Sequence, residues 1–408
     1  MRRGRSVDRW TSARRAYSTL QRVNAQELLR SFFESSVGAV GEIDLFDVHT
    51  HTGANDPDGR TSTREELVQT LESVGSRAVF FTMHEPDGYS PANDRVLAEA
   101  EASGGLLVPF ARVNPHDNAL AEARRCLDLG ARGIKLHPRA EQFTLDHPAV
   151  GDLFALAEER GVPILTHAGR GIPALGRHVL QHATRHPGAN VILAHAGICD
   201  LAWIWRRAVE HPNVFFDTAW WNPADLITLF SLVPPSQILY ASDAPYGRPI
   251  LSVTLAVRSA LEAGLSAEQL RGVMGGTLER LLAGEAPADL GTPNGNGAHE
   301  TDLLLDRVGS FLVFSLGPAF AGAAPVVAEG VGLARLACEV GDDAPQAEVC
   351  RAVLELLEEF DRMGGAEKAQ RGTVQLGLIV LALCVARTSR APLPPLGDGK
   401  ADVSERVD

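Results

Sequence analysis

Lysine is almost missing from this 408-residue chain: Lys135, Lys368 and Lys400 are its only examples, and the other 35 of its 38 basic residues are arginine. Positive charge as a whole is also short. Against 51 acidic residues the balance is −13, which argues against a nucleic-acid partner, because neutralising phosphates takes a basic face. Cysteine is sparse and scattered. Cys126, Cys199, Cys338, Cys350 and Cys384 form no C-x-x-C pair, which excludes a disulfide framework and a structural zinc site and fits reduced thiols in the cytoplasm. The N-terminus MRRGRSVDRWTSARRAYSTL lacks the continuous apolar core of a secretory signal. Its Arg- and Ser-rich, acid-poor composition resembles a transit peptide, and the plainer reading is a basic arm over residues 1–41. Long apolar runs are few. Residues 308–328 carry no Asp, Glu, Lys or Arg until past Ala328, but Gly309, Gly317, Pro318, Gly322 and Pro325 would interrupt a spanning helix. The segment therefore reads as buried helix, with a membrane span as the alternative; Gly372–Ala386 is too short to cross.

Between residues 42 and 285 the chain alternates short apolar runs with polar-faced helical stretches. The runs are IDLFDVHTH (43–51), RAVFFTMH (77–84), LLVPFARV (106–113), GIKLHP (133–138), VPILTHAG (162–169), NVILAHAG (190–197), NVFFDTAW (213–220) and QILYASDAP (237–245). Apolar runs of this length closed by Gly, Pro or Asp suit strands covered on both faces. Eight strand–helix units predict a closed (β/α)8 TIM barrel, an α/β fold. A doubly wound open sheet is the competing architecture, weakened because no G-x-G-x-x-G follows the first strand. Residues 286–302, rich in Gly, Pro and Asn, read as a linker. Residues 303–390 predict a C-terminal all-helical domain or dimerisation appendage, and 391–408 a disordered tail.

Chemistry concentrates where the runs end. His49 and His51 lie two apart on one strand, so both imidazoles project to the same side, and zinc accepts imidazole nitrogen at about 2.0–2.1 Å. Asp47 projects the same way one step deeper, where it could support a ligand. His167 and His195 close consecutive runs in matching H-A-G settings, and Asp243 closes the eighth run. Each alone has a plain structural reading, from satisfied polar residue to turn former. Together they fall at the C-terminal ends of runs one, five, six and eight, the face that carries barrel active sites.

The pieces D-V-H-T-H, G-I-K-L-H-P, P-I-L-T-H-A-G, V-I-L-A-H-A-G and L-Y-A-S-D-A-P-Y-G resemble the amidohydrolase superfamily, especially the amidohydrolase-related branch with aminocarboxymuconate-semialdehyde-decarboxylase-like enzymes. The resemblance implies that His49, His51 and His167 ligate a divalent metal, zinc by expectation. It further implies that Asp243 is a ligand or proton-transfer carboxylate, and that His195 polarises substrate or joins a second metal. Lys135 stands where binuclear members carry a carbamylated, metal-bridging lysine. Arginine cannot form that carbamate, so a lysine kept here in an arginine-biased chain hints at amine chemistry. It could equally pair with a substrate carboxylate or Asp243, and His137 competes for the same place. One metal is expected in preference to two.

Arg170 and Arg139 are candidates for holding an anionic substrate; Trp220, Trp221, Tyr246 and Arg248 for lining the rim; and His84 and Glu85 for reaching the mouth. The expected activity is hydrolysis of an amide, lactone or ester bond in a small molecule, a carboxylated one among the options, by a metal-activated water. Non-oxidative decarboxylation on the same fold is the first alternative. An inactive barrel acting as scaffold or partner-binding protein is the second. A homo-oligomer is expected, with neither nucleic acid nor membrane as partner.

Overall fold

A computed structural model describes residues 24–57, 59–295, 301–370 and 373–395. Most of the expected basic arm, the middle of the 286–302 linker and most of the 391–408 tail lie outside the described residues. Among the described residues nine parallel strands follow one another: β1 (Leu45–Thr52), β2 (Ser76–Thr82), β3 (Leu107–Pro109), β4 (Ala111–Arg112), β5 (Ile134–Leu136), β6 (Ile164–Thr166), β7 (Val191–Leu193), β8 (Val214–Asp217) and β9 (Ile238–Leu239). Eight apolar runs give nine strands because the third run divides at Phe110. Pro109 has no amide proton to donate. Phe110 N still bonds back to Phe80 O in β2, whereas Ala111 N turns to Gly133 O beside β5.

The ladders run β1–β2–β3 and β4 through β9 in sequence order. The last gap closes beyond β9, where Val48 N bonds Tyr240 O at 3.0 Å, His51 N bonds Ala244 O at 2.8 Å and Asp243 N bonds His49 O at 2.9 Å. The sheet is thus a barrel with β1 as its seam. Phe46, Val48, Val79, Phe81, Phe110, Leu165, Ile192, Phe215 and Leu239 fill it, with Leu278 and Leu281 of a following helix in the same cluster. The interior is therefore a packed core, and chemistry is left to the rim.

Outer helices start and stop where local chemistry dictates. Asn24 and Thr63 form capping boxes with Glu27 and Glu66, each satisfying two orphan amide donors. The helix Pro148–Arg160 ends on Gly161 in the left-handed conformation, φ 62°, a position glycine fills without steric cost.

The C-terminal region is helical: Leu303–Phe320, Ala324–Ala337, Ala347–Arg362, Gly365–Lys368 and Val374–Arg387. The first of these runs through Gly309 and Gly317 and ends two residues past Pro318, and the expected interruption of 308–328 falls at residues 321–323, where Gly322 has φ 70°. A Cβ on Gly309 would sit 2.7 Å from Arg387 Nε, so a larger residue there would push that side chain aside. Leu303–Phe320 is long and apolar enough to cross a membrane by length and composition, and 39% of it is buried inside the fold. Val374–Arg387 is buried from Leu376 to Ala386 and packs on the barrel helix Pro249–Glu262, which also receives Ala25–Gly38. All belong to one continuous apolar core. Arg258, fully buried, fastens the join with bonds to Thr388 Oγ1 and Thr388 O at 3.0 Å and to Pro392 O at 2.6 Å.

Candidate metal centre

Strand ends bring the chemistry-bearing side chains together at the barrel mouth. His49, His195 and Asp243 each offer one donor atom, and the three atoms lie within 4.8 Å of one another. His49 Nε2 is 3.3 Å from Asp243 Oδ1, and His51 Nε2 is 3.1 Å from the same oxygen. His167 Nδ1 lies 3.0 Å from His195 Nε2. This group differs from the expected ligand set: His195, expected to polarise substrate or join a second metal, is in it, while His51 and His167 stand beside it.

Far-side hydrogen bonds orient the imidazoles. His49 Nδ1 meets Asp217 Oδ2 at 2.8 Å, so its proton sits there and the Nε2 lone pair faces Asp243. His195 Nδ1 donates to Ala219 O at 2.9 Å, which leaves its Nε2 lone pair turned inward. A ligating histidine ordinarily donates its other ring N–H to a carboxylate or backbone carbonyl, and both arrangements occur here. Asp217 also accepts from His195 N at 2.7 Å and Ala219 N at 3.0 Å, so one carboxylate organises two neighbouring strand ends.

Asp217 was not singled out in the sequence. It ends the run N-V-F-F-D, and a lone acid closing a strand carries no motif. Asp47, expected to support a ligand, instead accepts from His49 N at 2.9 Å and Ser242 N at 3.1 Å. The β1–β2 register shifts between Asp47 and Thr50, and such an irregularity breaks the strict alternation that would carry Asp47 to the imidazoles. Arg112 likewise had no motif: fully buried, it holds Glu141 Oε1 at 2.6 Å and Thr82 O at 3.2 Å. A charge inside L-L-V-P-F-A-R-V was its only signal.

Of the six non-glycine residues with left-handed backbone among the described residues, two belong to the centre: His195 at φ 56° and Asp243 at φ 59°. Such conformations cost of order 1–3 kcal/mol and persist where surrounding bonds over-determine them, commonly at functional sites. Here those bonds are His195 N to Asp217 and Asp243 N to His49 O.

Burial governs the electrostatics. Burial, then the Lys135 charge, holds His49 well below the usual histidine range. Burial pulls His51 down to about 4 against the opposing pull of Asp243. His167 and His137 are lowered chiefly by burial, then by neighbouring histidine charge. All four are neutral at pH 7, as metal ligands must be. Burial pushes Asp243 up, but the His51 hydrogen bond and the His195 charge outweigh it and hold the carboxyl below its ordinary value. Lys135, fully buried, has its Nζ 3.3 Å from His49 Nε2 and 4.5 Å from the Phe81 ring centre. Burial, then the Arg112 charge, brings it down to about 7.

The remaining expected residues divide. His137 stacks on His167 with ring centres 3.9 Å apart and so belongs to the centre. Arg170 is exposed, 5.7 Å from the Trp220 ring centre, and Trp220 Nε1 is fixed by Asp225 Oδ2 at 2.6 Å. Trp221 packs against Phe320 of the C-terminal region. Tyr246 lies edge-on to His51 and bonds Asp56 Oδ2 at 2.5 Å. His84 Nδ1 is 3.8 Å from Glu141, Glu85 pairs with Arg95 at 3.2 Å, and Arg248 stands at the start of the helix Pro249–Glu262 with no capping bond from its side chain. Arg139 lines a separate cavity of about 610 Å³ with His116, Gln142, Thr144 and His147.

The donor set fits a divalent cation. Two imidazole lone pairs and a carboxylate converge, their far sides tied, and the buried His167 Nε2 has no hydrogen-bond partner. The family model for amidohydrolases matches residues 46–283, more than half of the chain, and the chain belongs to that family. No curated protein matches. Among solved structures, the chain is similar to an uncharacterized TIM-barrel protein from Bordetella bronchiseptica, with 18% identity over 59% of this chain and 99% of that one and a TM-score of 0.48. It is also similar to 5-carboxyvanillate decarboxylase from Sphingomonas paucimobilis, with 16% identity over 59% and 99% and a TM-score of 0.46. A third is a dihydroxybenzoic acid decarboxylase from Polaromonas sp. JS666 with bound manganese, with 15% identity over 59% and 97% and a TM-score of 0.47.

Proposed function

We propose that this chain is a metal-dependent hydrolase that opens an amide, lactone or ester bond in a small carboxylated molecule, with zinc as its cation. The observation that carries this reading is the meeting of His49, His195 and Asp243 donor atoms within 4.8 Å, with His51 and His167 against them. A divalent cation held there supplies Lewis acidity and makes water acidic enough to deprotonate near pH 7.

The chain's own groups do the rest. Asp243, kept ionised by the His51 hydrogen bond, accepts the proton of the attacking water and returns it to the leaving group. Neutral His51 steadies that carboxylate through Nε2. Asp217 and the Ala219 carbonyl lock His49 and His195 in one tautomer each, so neither ring must reorient during turnover. At the rim, Arg170 over Trp220 offers a cation beside a flat apolar wall, suited to a carboxylate next to a planar group.

The test is elemental analysis of purified protein, followed by a hydrolysis screen over lactones, esters and amides of small carboxylic acids. One equivalent of zinc and ring or amide opening that Asp243→Asn abolishes support the reading. Carbon dioxide release without bond hydrolysis would replace it by decarboxylation at the same centre. A metal-free protein with undiminished thermal stability would leave a scaffold.

A further inference from the structure

A cavity of about 610 Å³ lies beside the metal centre, and nothing in the proposed chemistry uses it. That volume is within the ordinary range for a small-molecule site. Two of its walls are the loops that follow β5 and β6, and both loops start at the centre. Pro138 of the lining follows His137, whose ring stacks on His167 at 3.9 Å, and Gly171 lies two residues beyond Gly169, which packs against the same His167 ring. The charge of Arg139, also in the lining, is among those that lower His167, so cavity and mouth are within electrostatic reach of each other.

The lining carries hydrogen-bond donors with nothing to bond. Arginines on the adjoining helices are paired: Arg124 with Glu159 at 3.2 Å, Arg125 with Asp94 at 2.7 Å and Arg160 with Asp128 at 2.6 Å. Arg139 is exposed and makes no hydrogen bond or ion pair with any of the described residues. His147 Nδ1 accepts from Ala149 N at 3.3 Å, which leaves the ring proton on Nε2. That N–H has no acceptor among the described residues, and His116 lies edge-on to the ring at 5.0 Å and steadies it. Gln142 is held at φ 54°, a strained conformation for a residue with a side chain, and its carboxamide has no partner among the described residues either. The acid in the lining, Asp146, is already engaged: Thr144 Oγ1 donates to it and His178 Nδ1 lies 3.9 Å away. His147 also caps the helix Pro148–Arg160, so the positive end of that helix borders the cavity. A guanidinium, an imidazole N–H and a carboxamide in one lining are complementary to an oxyanion.

We infer that this cavity binds an oxyanion, a phosphate or carboxylate carried by a small molecule, with Arg139, Gln142 and His147 as its donors. The inference does not depend on the metal centre or its reaction. It is tested on the full chain as purified, with phenylglyoxal as an arginine reagent and mass spectrometry to read each peptide. Saturating inorganic phosphate, added at constant ionic strength to hold screening fixed, should slow labelling of Arg139 at least roughly tenfold, while Arg124 keeps its rate. His147→Asn retains a good capping residue but loses the ring donor. Gln142→Gly loses the carboxamide and relieves the backbone. Each should raise the phosphate concentration for half-protection of Arg139 by roughly tenfold, with Tm close to that of wild type. Acetate in a parallel series separates the two sources. Protection at lower concentration by acetate assigns the site to a carboxylate, and by phosphate to a phosphate ester. Protection by neither anion overturns the proposal, as does equal protection of Arg139 and Arg124, or protection that both variants leave unchanged.

Discussion

His51 is buried, bonded to Asp243, and held at about 4, against about 6.5 for a histidine in the unfolded chain. Between those values the unfolded state binds the proton that the folded state refuses. Stability from this group is therefore complete above pH 6.5 and is lost as pH falls from there toward 4, by about 3 kcal/mol at most. Urea titrations of metal-stripped protein at pH 7 and 4.5 should show that loss in wild type and lack it in His51→Asn. Equal losses would mean that His51 is not kept neutral by the fold. Asp217 supports a second expectation. As the partner of His49 Nδ1 at 2.8 Å, its change to Asn should weaken metal affinity about 10–100-fold, read by competition against a chelator. Lys135 gives a third: for a single ion, Lys135→Ala should leave metal content at one equivalent, whereas a halved content would mean that the lysine bridges two.

Elements position these residues through close backbone contact as much as through hydrogen bonds. The segment Gly272–Gly276 leads into the helix that carries Leu278 and Leu281 to the barrel interior, and it passes directly beneath β1. A Cβ on Gly275 would stand 2.2 Å from Asp44 O, a backbone atom that cannot rotate away. Gly275→Ala should cost about 1–3 kcal/mol, seen as a lower Tm with displaced β1 amide resonances. At Gly169 the neighbour is a side chain instead: a Cβ there would lie 2.5 Å from His167 Nε2, so any larger residue displaces that imidazole. Glycine in T-H-A-G was plain in the sequence, but the contact comes from a ring folded back over its own loop, which leaves no trace in residue spacing.

For the whole molecule, the barrel was readable because eight apolar runs recur with their polar residues always at the same end. The division of the third run at Phe110 was hidden, since a break in hydrogen bonding leaves the apolar pattern unchanged. His49, His51, His167, His195 and Asp243 declared themselves by repeating one position on several strands. Asp217 and Arg112 occur once each, and pattern gives no weight to a single instance. The C-terminal helices were legible as helices, but not their seat on the barrel, because surface matching between distant segments leaves no local periodicity. Arg258 is the key to that seat. Arg258→Leu should strand the Thr388 and Pro392 carbonyls and cost about 3 kcal/mol, lowering Tm and the amide-exchange protection of residues 374–395 together.

The scarcity of amines has a practical outcome. Among the described residues only Lys135 and Lys368 carry one in the side chain, and Lys135 is wholly enclosed at the barrel mouth. With its proton held only to about pH 7, it would be an unusually fast nucleophile toward an acylating tag whenever the mouth opens. Its rate of labelling, followed by mass spectrometry on one peptide, would thus clock the breathing of the barrel without any engineered probe.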